Sequence, residues 1–170
     1  STQGYSSAAS DVYKRQILRS GKMGNQISDL YNQVINEHRK YPRNKGLVPG
    51  YKTLHLKNPS CGDDVTVQVE IKDGKIVDVR HDGTGCVICC SSASVMSEVL
   101  IGKTVEEANE IIDDFYELIK GNLPKDEDRL GDAIVYVNIH NFPPRAKCAT
   151  LAWRAAGALL LGDEGDQEDE

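Results

Sequence analysis

Between residues 65 and 81 the chain has little choice but to fold as a β-hairpin. Val65, Val67, Val69 and Ile71 alternate with Thr66, Gln68 and Glu70. That period of two gives a strand one apolar face and one wet face. Asp73-Gly74 follows, and glycine tolerates the positive φ that a two-residue type I′ turn requires. Lys75 to His81 returns as the partner strand. Tyr51 to Lys57 reads as an earlier strand, ended by Asn58-Pro59. The expected sheet is a three-stranded antiparallel meander, and its apolar face needs a cover.

Helices supply that cover. Ile27, Leu30, Tyr31, Val34, Ile35 and His38 follow helical spacing, and Pro42 and Gly46 stop it. Gly83-Thr84-Gly85 breaks the third strand, and Ile88 to Ile101 follows as a helix with Val95, Met96, Val99 and Leu100 on one face. Thr104 opens another helix, with Glu107 completing a capping box and Gly121 closing it. Its apolar stripe is Val105, Ala108, Ile111, Ile112, Phe115 and Ile119. Residues 122–132 read as a polar loop. Residues 133–142 suit either a strand or a short helix. Pro143-Pro144 ends that segment, and Arg145 to Leu161 is a final helix rich in Ala and Leu. Strands followed by helices predict an α+β fold, a three-stranded antiparallel sheet with α-helices packed on one face.

Charge limits the partners. The formal net charge is −6, and six acids with no base fall in residues 163–170. The rest is formally neutral, so a phosphate-binding basic face is not expected, and no nucleic acid. No apolar run approaches the roughly 20 residues that span a bilayer, so no membrane partner is expected. No secretory h-region is visible, and a cytoplasmic location is expected. Residues 1–24 read as a non-native or disordered extension, with Met23 as a candidate start. Residues 25–161 read as the domain, and 162–170 as an acidic disordered tail.

Five cysteines remain to be explained: Cys61, Cys86, Cys89, Cys90 and Cys148. An odd number in a reducing compartment argues against disulfides. Metal binding, reactive thiols and plain core packing stay open. Cys61 lies in the turn between the first two strands, Cys86 just past the glycine break, and Cys148 at the start of the last helix. A thiolate is both metal ligand and nucleophile. Zinc takes four ligands from Cys, His, Asp and Glu, and Cys61 and Asp63 straddle one glycine. Helix N-termini, Arg145 and Lys147 would favour thiolates at Cys86 and Cys148. Spacing alone does not decide the matter. Cys86-Val87-Ile88-Cys89 is a single CxxC that also fits a redox pair, and free cysteine is among the most buried residue types.

Three ordered segments carry a resemblance. Asn58-Pro59-Ser60-Cys61-Gly62-Asp63, then Gly83-Thr84-Gly85-Cys86-Val87-Ile88 leading into Ser92-Ala93-Ser94, then Arg145-Ala146-Lys147-Cys148-Ala149-Thr150-Leu151-Ala152-Trp153 resemble the U-type iron–sulfur cluster assembly proteins over about residues 27–160. Lys147 stands where the IscU scaffold branch has histidine, and the segment between the second and third cysteines is long, so the chain looks like the SufU branch. The resemblance implies a zinc-dependent sulfurtransferase that accepts persulfide sulfur from a pyridoxal-phosphate cysteine desulfurase of SufS type and serves a downstream assembly scaffold. It implies Cys61, Asp63, Cys86 and Cys148 as zinc ligands, Cys61 as sulfur acceptor and Arg145 as an activity residue. It also implies that a desulfurase histidine displaces Cys61 from zinc, freeing its thiolate to attack the persulfide. The alternative is a scaffold that assembles a [2Fe–2S] cluster, holding it or iron transiently on the same residues. A third reading is a structural zinc module that docks partners.

One departure from the family is Cys89-Cys90, where small hydroxyl residues or alanine are usual. Three and four residues past Cys86, they read as buried small hydrophobes, or as a spare ligand or second sulfur carrier. His38, His55, His81 and His140 read as structural or surface groups, and Trp153 as core. No GxGxxG or Walker-type loop is present.

Overall fold

The computed structural model describes residues 25–162 and 165–168. The expected extension over residues 1–24 lies outside them. Helix α1 (Asn25–Lys40) leads into strands β1 (Lys52–Asn58), β2 (Asp63–Lys72) and β3 (Lys75–Thr84). Helices α2 (Val87–Leu100) and α3 (Val105–Ile119) follow, then a 3₁₀ segment (Glu127–Asn141) and helix α4 (Pro143–Leu160). The last described element is a short strand, β4 (Gly165–Glu168).

The meander forms as its alternation predicts. β2 pairs antiparallel with β1 and with β3. Asp73 and Gly74 both take positive φ, 53° and 75°, the type I′ requirement. Leu54, Leu56, Val65, Val67, Val69, Ile76 and Val79 are all buried. Helix α4 packs on β1 and β2, and α2 on β3. This is the α+β architecture expected, with helices over the sheet.

Helix α2 is central, packed by α1, β3, the 3₁₀ segment and α4. Seven consecutive residues, Ser91 to Ser97, are buried. Small side chains allow such close packing, but each buried hydroxyl then needs a partner. Ser92 Oγ donates to the Ala149 carbonyl at 2.6 Å and accepts from Trp153 Nε1 at 2.9 Å. Ser91 Oγ bonds the Tyr136 hydroxyl at 2.6 Å. Trp153 is core, as expected, stacked on Phe115 with centroids 4.0 Å apart.

The N-terminus of α3 also follows its sequence signal. Thr104 Oγ1 accepts the Glu107 N–H at 3.1 Å and donates to Glu107 Oε1 at 3.1 Å. Such a cap is worth about 1 kcal/mol.

Two segments differ from expectation. The ambiguous stretch 133–142 is 3₁₀ as far as Asn141, and the segment begins earlier, at Glu127, inside the expected loop. Non-helical φ and ψ at Gly131 (53°, −129°) break it in two, and Asp114 accepts the Lys125 and Asp126 N–H groups that lead into it. At the C-terminus, Gly165–Glu168 of the segment read as a disordered tail adds to the sheet, parallel to β1, giving the order β3-β2-β1-β4.

Candidate metal centre

Antiparallel pairing puts the β1–β2 turn and the end of β3 at one edge of the sheet, where Asn58 pairs with Asp63 and Asp64 with Thr84. The turn is tight: Cys61 and Gly62 N–H groups both donate to the Asn58 carbonyl, at 3.2 and 2.9 Å. Gly62 takes φ 73°, which lets Cys61 and Asp63 flank a reversal of the chain. Helix α4 opens at the same edge, its two prolines at the first two helical positions, where the missing N–H groups cost nothing.

The result gathers residues far apart in sequence. Cys61 Sγ, a carboxylate oxygen of Asp63 and Cys148 Sγ all lie within 4.8 Å of one another. Cys61 is exposed, while Asp63 and Cys148 are buried. Cys86 sits at the N-cap of α2, and its N–H donates to Asp63 Oδ1 at 3.0 Å. Its thiol lies beside Cys148 and Arg145 rather than inside the 4.8 Å set. Burial first, then the nearness of Asp63, Cys61 and Cys86, pushes the Cys148 thiol well up, and its Sγ lies 3.7 Å from the Pro144 carbonyl. Arg145, facing the charge and hydrogen bonding of Cys86 and then of Cys148, has its guanidinium pKa raised.

The donor set fits a thiophilic cation. Asp63 is 1% exposed, and its Oδ2 has no hydrogen-bond partner. A buried carboxylate oxygen left so costs about 1–3 kcal/mol or more, and a cation among the thiols would remove that cost. Three thiols and one carboxylate are a tetrahedral zinc set in chemistry and number. Gly85 makes room for it, because a Cβ there would stand 2.7 Å from Asp63 Oδ1.

Cys89 is buried behind the cluster, and burial, then the charge of Asp63 and the neighbouring cysteines, raises its thiol pKa. It behaves as the small hydrophobe that is one of its two readings. Cys90 is half-buried, its Sγ 3.7 Å from the Gly85 carbonyl.

The sequence did not reveal a second cluster. His38 is fully buried, with Nδ1 2.8 Å from Ser94 Oγ and Nε2 3.0 Å from Asp132 Oδ2. Glu98 completes a set of three groups within metal-binding reach. Its carboxylate already pairs with Arg43 Nε at 3.3 Å. The four histidines stay outside the cysteine cluster, as expected. His55 pairs with Asp64, His81 Nε2 donates to the Arg43 carbonyl, and His140 bonds the Val137 carbonyl. The only early sign of this second cluster was that His38 closed an apolar helical stripe.

Comparison with known proteins agrees with the fold. Residues 30–149 match the model of the NifU-like N-terminal domain. The chain belongs to that family. This NifU-like chain is 37% identical over 150 residues to the Streptococcus pyogenes iron–sulfur cluster assembly scaffold protein IscU, covering 84% of this chain and 94% of that one. It is also 37% identical over 140 residues to the Bacillus subtilis zinc-dependent sulfurtransferase SufU, covering 82% and 95%. A crystal structure titled as a SUF-system scaffold from Fervidobacterium islandicum superposes with a TM-score of 0.72 at 36% identity, covering 75% of this NifU-like chain and 94% of the other. Among the described residues no helix is long and apolar enough to cross a membrane.

Proposed function

We propose that this U-type iron–sulfur cluster assembly protein is a zinc-holding sulfur acceptor. On this reading it takes the terminal sulfur of a cysteine desulfurase persulfide onto Cys61 and passes it to a downstream scaffold. One observation carries the reading: the buried Asp63 Oδ2 lacks a partner beside two thiols, one of them, Cys61, exposed to an incoming donor. Lys147, in place of the histidine of the scaffold branch, supports it further.

Cys61, Asp63, Cys86 and Cys148 would hold the zinc. When bound, zinc keeps its cysteines as thiolates near neutral pH, despite the burial that raises Cys148 in the free chain. Three thiolates and a carboxylate leave a formal charge of about −2 around Zn²⁺. The Arg145 guanidinium, facing Cys86 and Cys148, offsets part of it. The Cys61 thiolate attacks the terminal sulfur of the desulfurase persulfide. A new S–S bond forms at Cys61 as the old one breaks, the desulfurase cysteine leaves as a thiolate, and the proton on the transferred sulfur stays with it or goes to solvent. No net oxidation occurs, and the rate follows thiolate availability and access. Exposure at Cys61 supplies the access.

The test is metal content of anaerobically purified protein together with desulfurase turnover. About one zinc per chain and faster turnover, lost in Cys61→Ala, is expected. Unchanged stimulation by Cys61→Ala would sink the reading. The equal identity to a protein named as a scaffold favours a second reading, assembly of a [2Fe–2S] cluster on the same residues. Iron with labile sulfide, no effect on turnover and transfer to an apo-acceptor would favour that scaffold.

A further inference from the structure

Asn58 ends β1 and is the pivot of the turn that carries Cys61. Its carbonyl accepts the N–H groups of Cys61 and Gly62 at 3.2 and 2.9 Å, and its side-chain Oδ1 accepts the Ser60 N–H at 3.2 Å. A backbone N–H can only donate, so the Ser60 contact fixes which end of the amide is oxygen and which is nitrogen. The nitrogen end is left over. Asn58 is 1% exposed, and its Nδ2 is buried with no hydrogen-bond partner among the described residues. A buried donor without an acceptor is as costly as a buried acceptor without a donor.

The place of this amide says what it lacks. Asn58 and Asp63 stand directly opposite in the β1–β2 register. Opposite residues of antiparallel strands put their side chains on one face, with Cβ atoms about 5 Å apart. Here it is the buried face, shared with Leu54, Leu56, Val65 and Val67. A donor, Asn58 Nδ2, and an acceptor, Asp63 Oδ2, are therefore unpaired on neighbouring side chains, and they are not bonded to each other. A cation would answer the carboxylate oxygen, but not the N–H. The N–H needs an anion, and the thiolates that a cation would gather are the anions at this end of the sheet. A thiol sulfur accepts hydrogen bonds weakly, and an ionised acceptor does so far better.

We propose that Asn58 is a positioning residue of the metal centre, whose side-chain amide donates to a thiolate sulfur once the centre is loaded. The inference rests on the zinc-holding reading above. Cys148 is the acceptor that matches the amide's burial, since it has no exposed surface and its helix packs on β1. An N–H bond draws charge from the sulfur that accepts it and makes that sulfur the poorer nucleophile. Cys148 is thereby kept as a holder, and the exposed Cys61 is left as the thiol that reacts.

The experiment uses the full chain. In wild type, the side-chain amide protons of Asn58 followed by NMR should shift downfield and exchange more slowly as zinc is added to about one per chain. Asn58→Ser keeps an oxygen for the Ser60 N–H and removes the Nδ2 donor. It should weaken zinc binding by about tenfold or more, read by competition with a chromophoric chelator. It should also move the thiolate-to-metal charge-transfer band of the Co²⁺-loaded chain to lower energy. Without metal, the variant should unfold at no lower urea concentration than wild type, because an unpaired buried donor has been removed. Unmoved Asn58 amide protons in a chain that has taken up zinc would overturn the proposal and leave the zinc-holding reading standing. So would a variant that loses metal-free stability while keeping wild-type zinc affinity and cobalt spectrum. A wild type that takes up no zinc overturns both.

Discussion

Among the described residues two clusters of groups are able to bind a metal, and they differ in what their polar atoms lack. At Cys61, Asp63 and Cys148 a buried carboxylate oxygen has no hydrogen-bond partner among the described residues, and Arg145 faces the thiols of Cys86 and Cys148. At His38, Asp132 and Glu98 the imidazole is bonded at both nitrogens, and Glu98 is paired with Arg43. The second cluster also joins α1, α2 and the 3₁₀ segment, since Arg43 N–H donates to the same Ser94 Oγ at 2.8 Å. A closed network rigidifies a core, and an open one awaits a ligand. Residue type alone would have ranked the two alike. Satisfaction of the polar atoms separates a brace from a site.

Substitutions should divide along the same line. Asp132→Ala removes a hydrogen-bond partner of a fully buried histidine and should cost about 1–3 kcal/mol in urea unfolding. Zinc per folded chain should stay unchanged. If zinc falls with it, the two clusters are one site. Asp63→Ala should do the reverse. It loses the Cys86 N–H contact, about 1–3 kcal/mol in the metal-free protein. The stabilisation that added zinc gives wild type, about 4 kcal/mol at a thousandfold excess over Kd, should vanish.

The two clusters also depend on glycine for different reasons, which sharpens the contrast. Gly131, at φ 53° and ψ −129°, precedes Asp132, and Gly131→Ala should cost about 1–3 kcal/mol through backbone strain without loss of zinc. Gly85 is needed for space. Gly85→Ala crowds Asp63 Oδ1 and should weaken zinc binding, read by competition with a chromophoric chelator, more than it changes the unfolding midpoint.

The smallest effect is with pH. Burial holds His81 below its ordinary 6.5, and its ring bonds the carbonyl of Arg43 in the brace. A lowered folded pKa means the unfolded state binds the proton more readily. His81 therefore contributes stability above about pH 6.5 that is lost as pH falls through its folded value. Metal-free wild type should show a shallow fall in unfolding free energy below that pH, smaller in His81→Gln. An identical slope in both proteins would remove His81 from the account.

Much of this was legible in the residues, for local reasons. Alternation at Val65–Ile71, the Asp73-Gly74 turn and the Thr104–Glu107 cap are each decided within a few residues, and each formed. The 3₁₀ segment was not legible, because Ile134, Val135, Val137 and Ile139 suit two periods. Asp114, buried on α3, helps settle it by holding the backbone before it. The tail was read from charge alone. Its pairing depends on an open edge at β1 that composition does not show.

The sequence alone determined the meander, the helices around it and the chemical kinds of residue mounted at their junctions. Those follow from periodicity and turn chemistry, which act between neighbours. Only the tertiary structure decided that Cys148 meets Cys61 and Asp63, that Asp63 keeps one oxygen unpartnered, and that His38 is closed off between Ser94 and Asp132. These meetings span tens of residues. They are set by how α4 and α2 pack across the sheet, where burial fixes which polar atoms find a partner and which must wait for one.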